Sequence, residues 1–435
     1  MRKILIDGNF CITINKGIFL LSIFIYLMLN ARTVNSNSDV INNTFLPSIS
    51  FSEKIEKFEG FGDRFNFYIV NKLTDYLFAS NNHEKYLWIC NYFGANFKPW
   101  CYSKFIYNIP SYNEDLLIFA ADVIENEFNE LKCHFLYHDI GIFLALHKSL
   151  GDSFIMCNKI DNCSFGCMHG LVQGYMLKKN RNTTENELID IKKSAPTKTE
   201  LIAHGFGHYF YETSENYSIA IDKCRTITKN YPNFMNACII GLLHEKFFYI
   251  NNQSFENFLK EYEDCNKFGK YKDACISFLG FGYSYQNLWY DEIDFENAKS
   301  INGYCKLLNN NFCSIGIGAG IIFIINQKYK QRPNLSISLK ECIKVMNYIN
   351  SSSLNCNLGY NFYILLFPHN RNPTDMYISC KLIDKEEDSK TCFLYLNYFY
   401  KNASTFNNEV NFCYRIEERF RNECLQEFSK FDENI

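Results

Sequence analysis

Along most of the chain, apolar and polar residues alternate at helical spacing, in paired stretches. From Asp294 to Cys305 the text DFENAKSINGYC returns to an apolar residue every three or four positions, which is the period of a helix with one buried face. A polar turn follows. From Cys313 the run CSIGIGAGIIFII is small, apolar or aromatic. The pattern predicts a short helix ending near Cys305 and a second helix opening at Cys313.

The second kind of stretch recurs. CMHGLVQG from Cys167, CIIGLLHE from Cys238, CSIGIGAG from Cys313 and CNLGYNFY from Cys356 all read Cys-x-x-Gly followed by small, apolar or aromatic residues. The register they define runs Cys101, Cys133, Cys167, Ile202, Cys238, Cys275, Cys313, Cys356, Cys392 and Cys424, with steps of 32, 34, 35, 36, 37, 38, 43, 36 and 32 residues. Ile202 alone lacks the cysteine, yet IAHGFGH there aligns with CIIGLLH. A period near 36 predicts an all-α array of helical hairpins, open as an α-solenoid or closed as an α/α toroid. A glycine stands three residues after Cys167, Ile202, Cys238, Cys313 and Cys356, one turn along the same helix face. Glycine inside a helix costs about 1 kcal/mol against alanine, so its return predicts close helix-to-helix approach.

The chain holds 19 cysteines and no CxxC metal knuckle. Cys11 falls in the leader-like start, which leaves an even 18, and disulfides are the economical reading. The spacing expects staples across 8 to 14 residues: Cys90 with Cys101, Cys224 with Cys238, Cys265 with Cys275, Cys305 with Cys313, Cys342 with Cys356, Cys380 with Cys392, and Cys413 with Cys424. Closing loops of this size stabilises by about 3 kcal/mol each in the chain-entropy model. Cys133, Cys157, Cys163 and Cys167 admit three pairings, and Cys163 and Cys167 with His169 are also a thiolate zinc set.

Residues 1–36 differ from the rest. Arg2, Lys3 and Lys16 precede the thirteen-residue apolar run Gly17 to Leu29, too short for a spanning helix of about 20 residues and suited to a signal peptide or an N-terminal anchor. Residues 37–84 form a lead-in segment, and residues 85–435 the repeat domain. The expected location is secreted, periplasmic or lumenal, with membrane contact only through an uncleaved N-terminal segment.

The hairpin layout resembles, over about residues 85 to 430, the cysteine-rich Sel1-like and tetratricopeptide-type repeat proteins. That resemblance implies a superhelical scaffold whose concave face binds a protein or small-molecule ligand. The histidines depart from the resemblance. Of nine, five fall at related places: His169 and His204 at +2 from the register position, His208 and His244 at +6, and His138 at +5. Positions +2 and +6 share one helix face, with Gln173 at +6 between them. Later repeats place Ser277 and Phe281, Ile315 and Ala319, Leu358 and Phe362, and Leu394 and Tyr398 there, so the face is largely apolar.

Paired histidines at i, i+4 are a metal-ligand arrangement. His204 and His208 are such a pair, and His169, His244 and His138 are candidates to complete a site within residues 133–250. Glu212 and Asp139 are candidate orienting carboxylates, and Gln173 a candidate polar support. His134 with His138 is a further ligand pair or the flank of a tight helix contact. Zinc, copper or iron is the expected ion, with a noncovalent haem a further option.

The net charge of -3 and the 21% of charged residues offer no basic face for nucleic acid. Three functions remain open at this stage: a metal- and partner-binding module, a metal-dependent hydrolase or oxidoreductase, and a scaffold whose histidines are core.

Overall fold

A computed structural model of the chain describes residues 3–6, 10–13, 86–87, 90–91 and most of 98–432, apart from connecting segments such as 179–192, 285–294 and 403–411. Two compact units are present, Met1–Pro47 and Ser48–Ile435. In the first, β1 (Lys3–Ile6) pairs antiparallel with β2 (Phe10–Thr13). The apolar run 17–29, the choice between signal and anchor, and the whole lead-in 37–84 lie outside the described residues.

Every described element of the second unit is helical. In chain order these are α1 (Lys98–Asn108), α2 (Glu114–Glu127), α3 (Glu130–His147), α4 (Leu150–Ile160), α5 (Gly166–Lys178), α6 (Thr199–Thr213), α7 (Tyr217–Ile227), α8 (Met235–Phe248) and α9 (Phe255–Asp264). They continue as α10 (Lys272–Ser284), α11 (Phe295–Leu307), α12 (Asn311–Lys328), α13 (Leu335–Tyr348), α14 (Leu354–Leu366), α15 (Pro373–Lys381), α16 (Glu386–Asn402) and α17 (Glu418–Asp432). The helices expected around Cys305 and Cys313 are α11 and α12, with α11 running two residues past Cys305. Among the described residues no helix is long and apolar enough to cross a membrane.

The helices fall into two classes. α1, α3, α5, α6, α8, α10, α12, α14 and α16 carry nine of the ten register positions, Cys424 lying on α17, and each packs on the next. These are inner helices: α10 is buried at every residue from Ala274 to Ser284, as a helix enclosed on all sides must be apolar all round. The others flank them, and most are amphipathic; α9 buries Phe258 while its charges face outward. Several outer helices open with a side-chain cap. Asn113, Asn216, Ser254 and Asn334 accept hydrogen bonds from the backbone N–H groups of Leu116, Ile219, Asn257 and Ile337, each contributing about 1 kcal/mol.

Inner helices meet backbone to backbone. A methyl group on Gly170 of α5 would sit 1.9 Å from the His138 carbonyl oxygen of α3, and one on Gly141 would sit 2.1 Å from the Cys167 carbonyl oxygen. Gly241 of α8 stands in the same relation to the His204 carbonyl (2.0 Å), and Gly207 of α6 to that of Cys238 (2.0 Å). The recurring glycine therefore does what its register position suggests. Gly205 is the looser case, with its nearest neighbour, Val172 Cβ, 3.1 Å from an added methyl.

Nine disulfides are present among the described residues. Seven are the short staples named above. Of the four open cysteines, Cys157 joins Cys167 across 10 residues, repeating the staple. Cys133 joins Cys163 across 30 residues, tying the start of α3 to the turn before α5. Cys163 and Cys167 are thus half-cystines, which corrects the thiolate zinc set. The outer helix before Cys133 carries no cysteine, so Cys133 reaches forward instead of back.

A glycine pair of contrasting surroundings tests this packing. Gly303 on the outer helix α11 has nothing within 4 Å of an added methyl, so Gly303→Ala should stabilise by up to about 1 kcal/mol. Gly241→Ala must push α8 from α6 and should cost roughly 1–3 kcal/mol or more. Chemical denaturation of the two variants measures both.

Candidate metal centre

Six imidazoles converge where α3, α5, α6 and α8 pack. α3 contributes His134 and His138, α5 contributes His169, α6 contributes His204 and His208, and α8 contributes His244. All six are buried, between 1% and 8% exposed. The glycines beside them set their spacing: Gly170, next to His169, rests on His138, and Gly241, one turn before His244, rests on His204. His169 stacks on His204 with ring centres 4.5 Å apart, and His138 meets His208 at 5.2 Å.

Hydrogen-bond partners fix which nitrogen of three rings carries the proton. His134 Nδ1 lies 3.1 Å from the Cys163 carbonyl oxygen. A carbonyl only accepts, so Nδ1 donates and Nε2 keeps its lone pair. His138 Nδ1 lies 3.1 Å from Gln173 Oε1. The Gln173 amide is oriented by its other end, where Nε2 donates to Glu212 Oε2 at 3.4 Å. His208 Nδ1 lies 2.9 Å from Glu245 Oε2, and its Nε2 has no hydrogen-bond partner. Neither nitrogen of His169 has one. A buried polar nitrogen left so costs about 1–3 kcal/mol.

The inner nitrogens of these rings lie close together. His134 Nε2 and His138 Nε2 are 3.0 Å apart, both set as acceptors by their outer bonds. Two facing lone pairs repel unless a proton or a cation lies between them. Nitrogen ligands about 2.0–2.1 Å from a tetrahedral ion stand about 3.3 Å apart, close to the spacing seen. His244 Nδ1 and His204 Nε2 are 3.1 Å apart. Ligand atoms of His134, His138, His169 and His208 all lie within 4.8 Å of one another, as do those of His204, His208 and His244. These buried groups can hold a metal ion.

Several expected residues take other places. Asp139 does not orient a histidine: its carboxylate accepts from Tyr107 Oη at 3.0 Å and from Ser103, both on α1. Asp139 follows His138 in sequence, a step of about 100° round the helix, and so faces α1. Burial raises it to about pH 6, although both hydrogen bonds pull the other way. Glu212 accepts from Gln173, the partner of His138. The imidazoles are enclosed and do not line an accessible concave face. The apolar +2/+6 face of later repeats is buried through Phe362, but Leu394 is 43% exposed. His147, at the end of α3, packs on Phe143 outside the cluster.

Glu245, the partner of His208, was not among the expected orienting residues. Its signal was the run His244-Glu245-Lys246 inside the apolar helix α8, all three below 5% exposed. The run divides between faces, because Lys246 turns outward to Glu261 of α9 at 2.5 Å and lies over the Tyr217 ring. His134 is both things its sequence allowed. It is a ligand candidate, and its carbonyl would be 2.2 Å from a methyl on Gly166. No protein-family model, no curated protein and no solved structure matches this chain.

Burial, then the neighbouring imidazoles, hold His169 and His244 well below the ordinary histidine value. Both stay neutral when folded, while the unfolded chain takes up protons near pH 6.5. Metal-free stability should therefore be flat above about pH 7. Below 6.5 it should fall by up to about 1.4 kcal/mol per pH unit per histidine. Asp139 opposes this below pH 6, because its folded form binds a proton that the unfolded form releases until about pH 4. Denaturation in chelator between pH 7.5 and 5 should show the decline, steeper in Asp139→Asn and shallower in His169→Phe.

Proposed function

We propose that this chain is a disulfide-stapled helical-repeat protein of an oxidising compartment that carries a transition-metal ion in its interior. One observation carries the reading: three imidazoles on two helices are locked by a backbone carbonyl, an amide oxygen and a carboxylate so that their Nε2 lone pairs face inward. Metal-ligating histidines are held in this way, with the outer ring N–H donated to a carbonyl or carboxylate that fixes tautomer and orientation. Imidazole ligands suit zinc, copper and iron, and the buried charge of Glu245 lowers the cost of a divalent cation there. His134, His138, His169 and His208 would hold the ion.

The repeat period and the stacking of each inner helix on the next support a solenoid. Rings two inner helices apart in the stack also meet, His138 with His208 and Phe278 with Phe362, which favours a strongly curled one. Since the histidines are enclosed, a protein partner binds the outer helices. Nine disulfides fit a secreted or lumenal protein.

Cobalt titration of the purified, disulfide-intact chain tests the reading. The protein should develop visible ligand-field absorption with saturable, micromolar or tighter affinity. His138→Ala/His208→Ala should lose the bands and at least 100-fold in affinity with its helical circular dichroism retained. Failure to bind cobalt, zinc, copper or iron would contradict the reading.

A further inference from the structure

We infer that the cluster holds two ions side by side, an inference that rests on the metal reading above. The ligand inventory exceeds one ion. A tetrahedral ion taking His134, His138, His169 and His208 leaves His204 and His244 buried at 7% and 3% exposure, their nitrogens 3.1 Å apart. That contact repeats the 3.0 Å approach of His134 and His138 at the other end of the cluster. Each short pair is held rigidly, the first as i, i+4 neighbours on α3 and the second by the α6–α8 backbone contact at Gly241.

His208 decides the division. Its ring lies 5.2 Å from His138 and 5.5 Å from His169, but also 4.9 Å from His204 and 6.1 Å from His244. Because its Nδ1 is committed to Glu245, only Nε2 is offered, and one nitrogen serves one ion at a time. The six rings then divide three and three: His134, His138 and His169 for one ion, His204, His208 and His244 for the other. Three protein nitrogens leave each ion an open position, the pattern of sites that bind a small ligand or substrate. Two such positions enclosed between the same four helices suit a small bridging ligand such as hydroxide. Each ion is a divalent first-row cation that accepts imidazole, with copper and zinc the best fit.

The test is stoichiometry. The full-length, disulfide-intact chain is stripped with chelator, equilibrated with excess zinc or copper, desalted, and assayed by elemental mass spectrometry. Two ions per chain are expected for the unaltered protein and for the His147→Ala control. One is expected for His134→Ala and for His244→Ala, each of which cuts a single triad. A ratio of one in the unaltered protein overturns this inference and leaves the single-ion reading standing; a ratio of zero overturns both. Should the alanine variants fail to fold, paramagnetic resonance of the copper-loaded unaltered protein decides. An adjacent pair shows less resonance than its copper content, whereas fully visible, isolated copper overturns the pair.

Discussion

The close approach of inner helices at glycine is the contact on which the rest of this structure depends. Where Gly170 meets the His138 carbonyl and Gly241 meets that of His204, no side chain stands between the backbones. Helices that near bring the side chains one position or one turn away into contact. His169 thereby reaches α3, and His244 reaches α6. The same glycines carry no stabilising side chain of their own, so the disulfides matter. Six of the staples hold an outer helix, or the turn that ends it, against an inner helix, and each lowers the entropy of the unfolded chain, which offsets the helix-propensity cost of the glycines.

The Cys133–Cys163 bond links this framework to the chemistry. It places the Cys163 carbonyl against His134 Nδ1, so a structural cross-link chooses the tautomer of a candidate ligand. Gln173 and Glu245 do the same for His138 and His208 from different helices. Three unrelated groups turning three lone pairs to one point is hard to explain as core packing alone. A core histidine is satisfied at both nitrogens where possible, and His169 is satisfied at neither. The electrostatics agree: burial keeps His169 and His244 neutral, and a neutral imidazole is the form that binds a cation.

Much of the helical framework was legible because cysteine spacing and helical hydrophobic spacing recur along the sequence. A register cysteine lies near the start of every inner helix but α6, a glycine three residues later marks the contact in α5, α8, α12 and α14, and an 8 to 14 residue step marks a staple. The helices around Cys305 and Cys313 lie within a few residues of where the pattern puts them. Cys133–Cys163 was not legible, since it joins the inner helix α3 to the turn before the next inner helix, and pairing there depends on proximity that no local spacing encodes. The histidine face followed from the +2 and +6 positions. The roles of Asp139 and Glu245 did not, because each lies one residue from a histidine. A turn of about 100° decides whether such a carboxylate faces the cluster, as Glu245 does, or a neighbouring helix, as Asp139 does. That choice is made by packing across helices, not by the helix's own sequence.

X-ray absorption at the edge of the bound metal measures the central claim most directly. The account predicts a first shell of nitrogen and oxygen without sulfur at about 2.0–2.1 Å, with the outer-shell scattering of several imidazole rings. A first shell containing sulfur, or one of light atoms without imidazole scattering, would place the ion elsewhere and return these six histidines to the core.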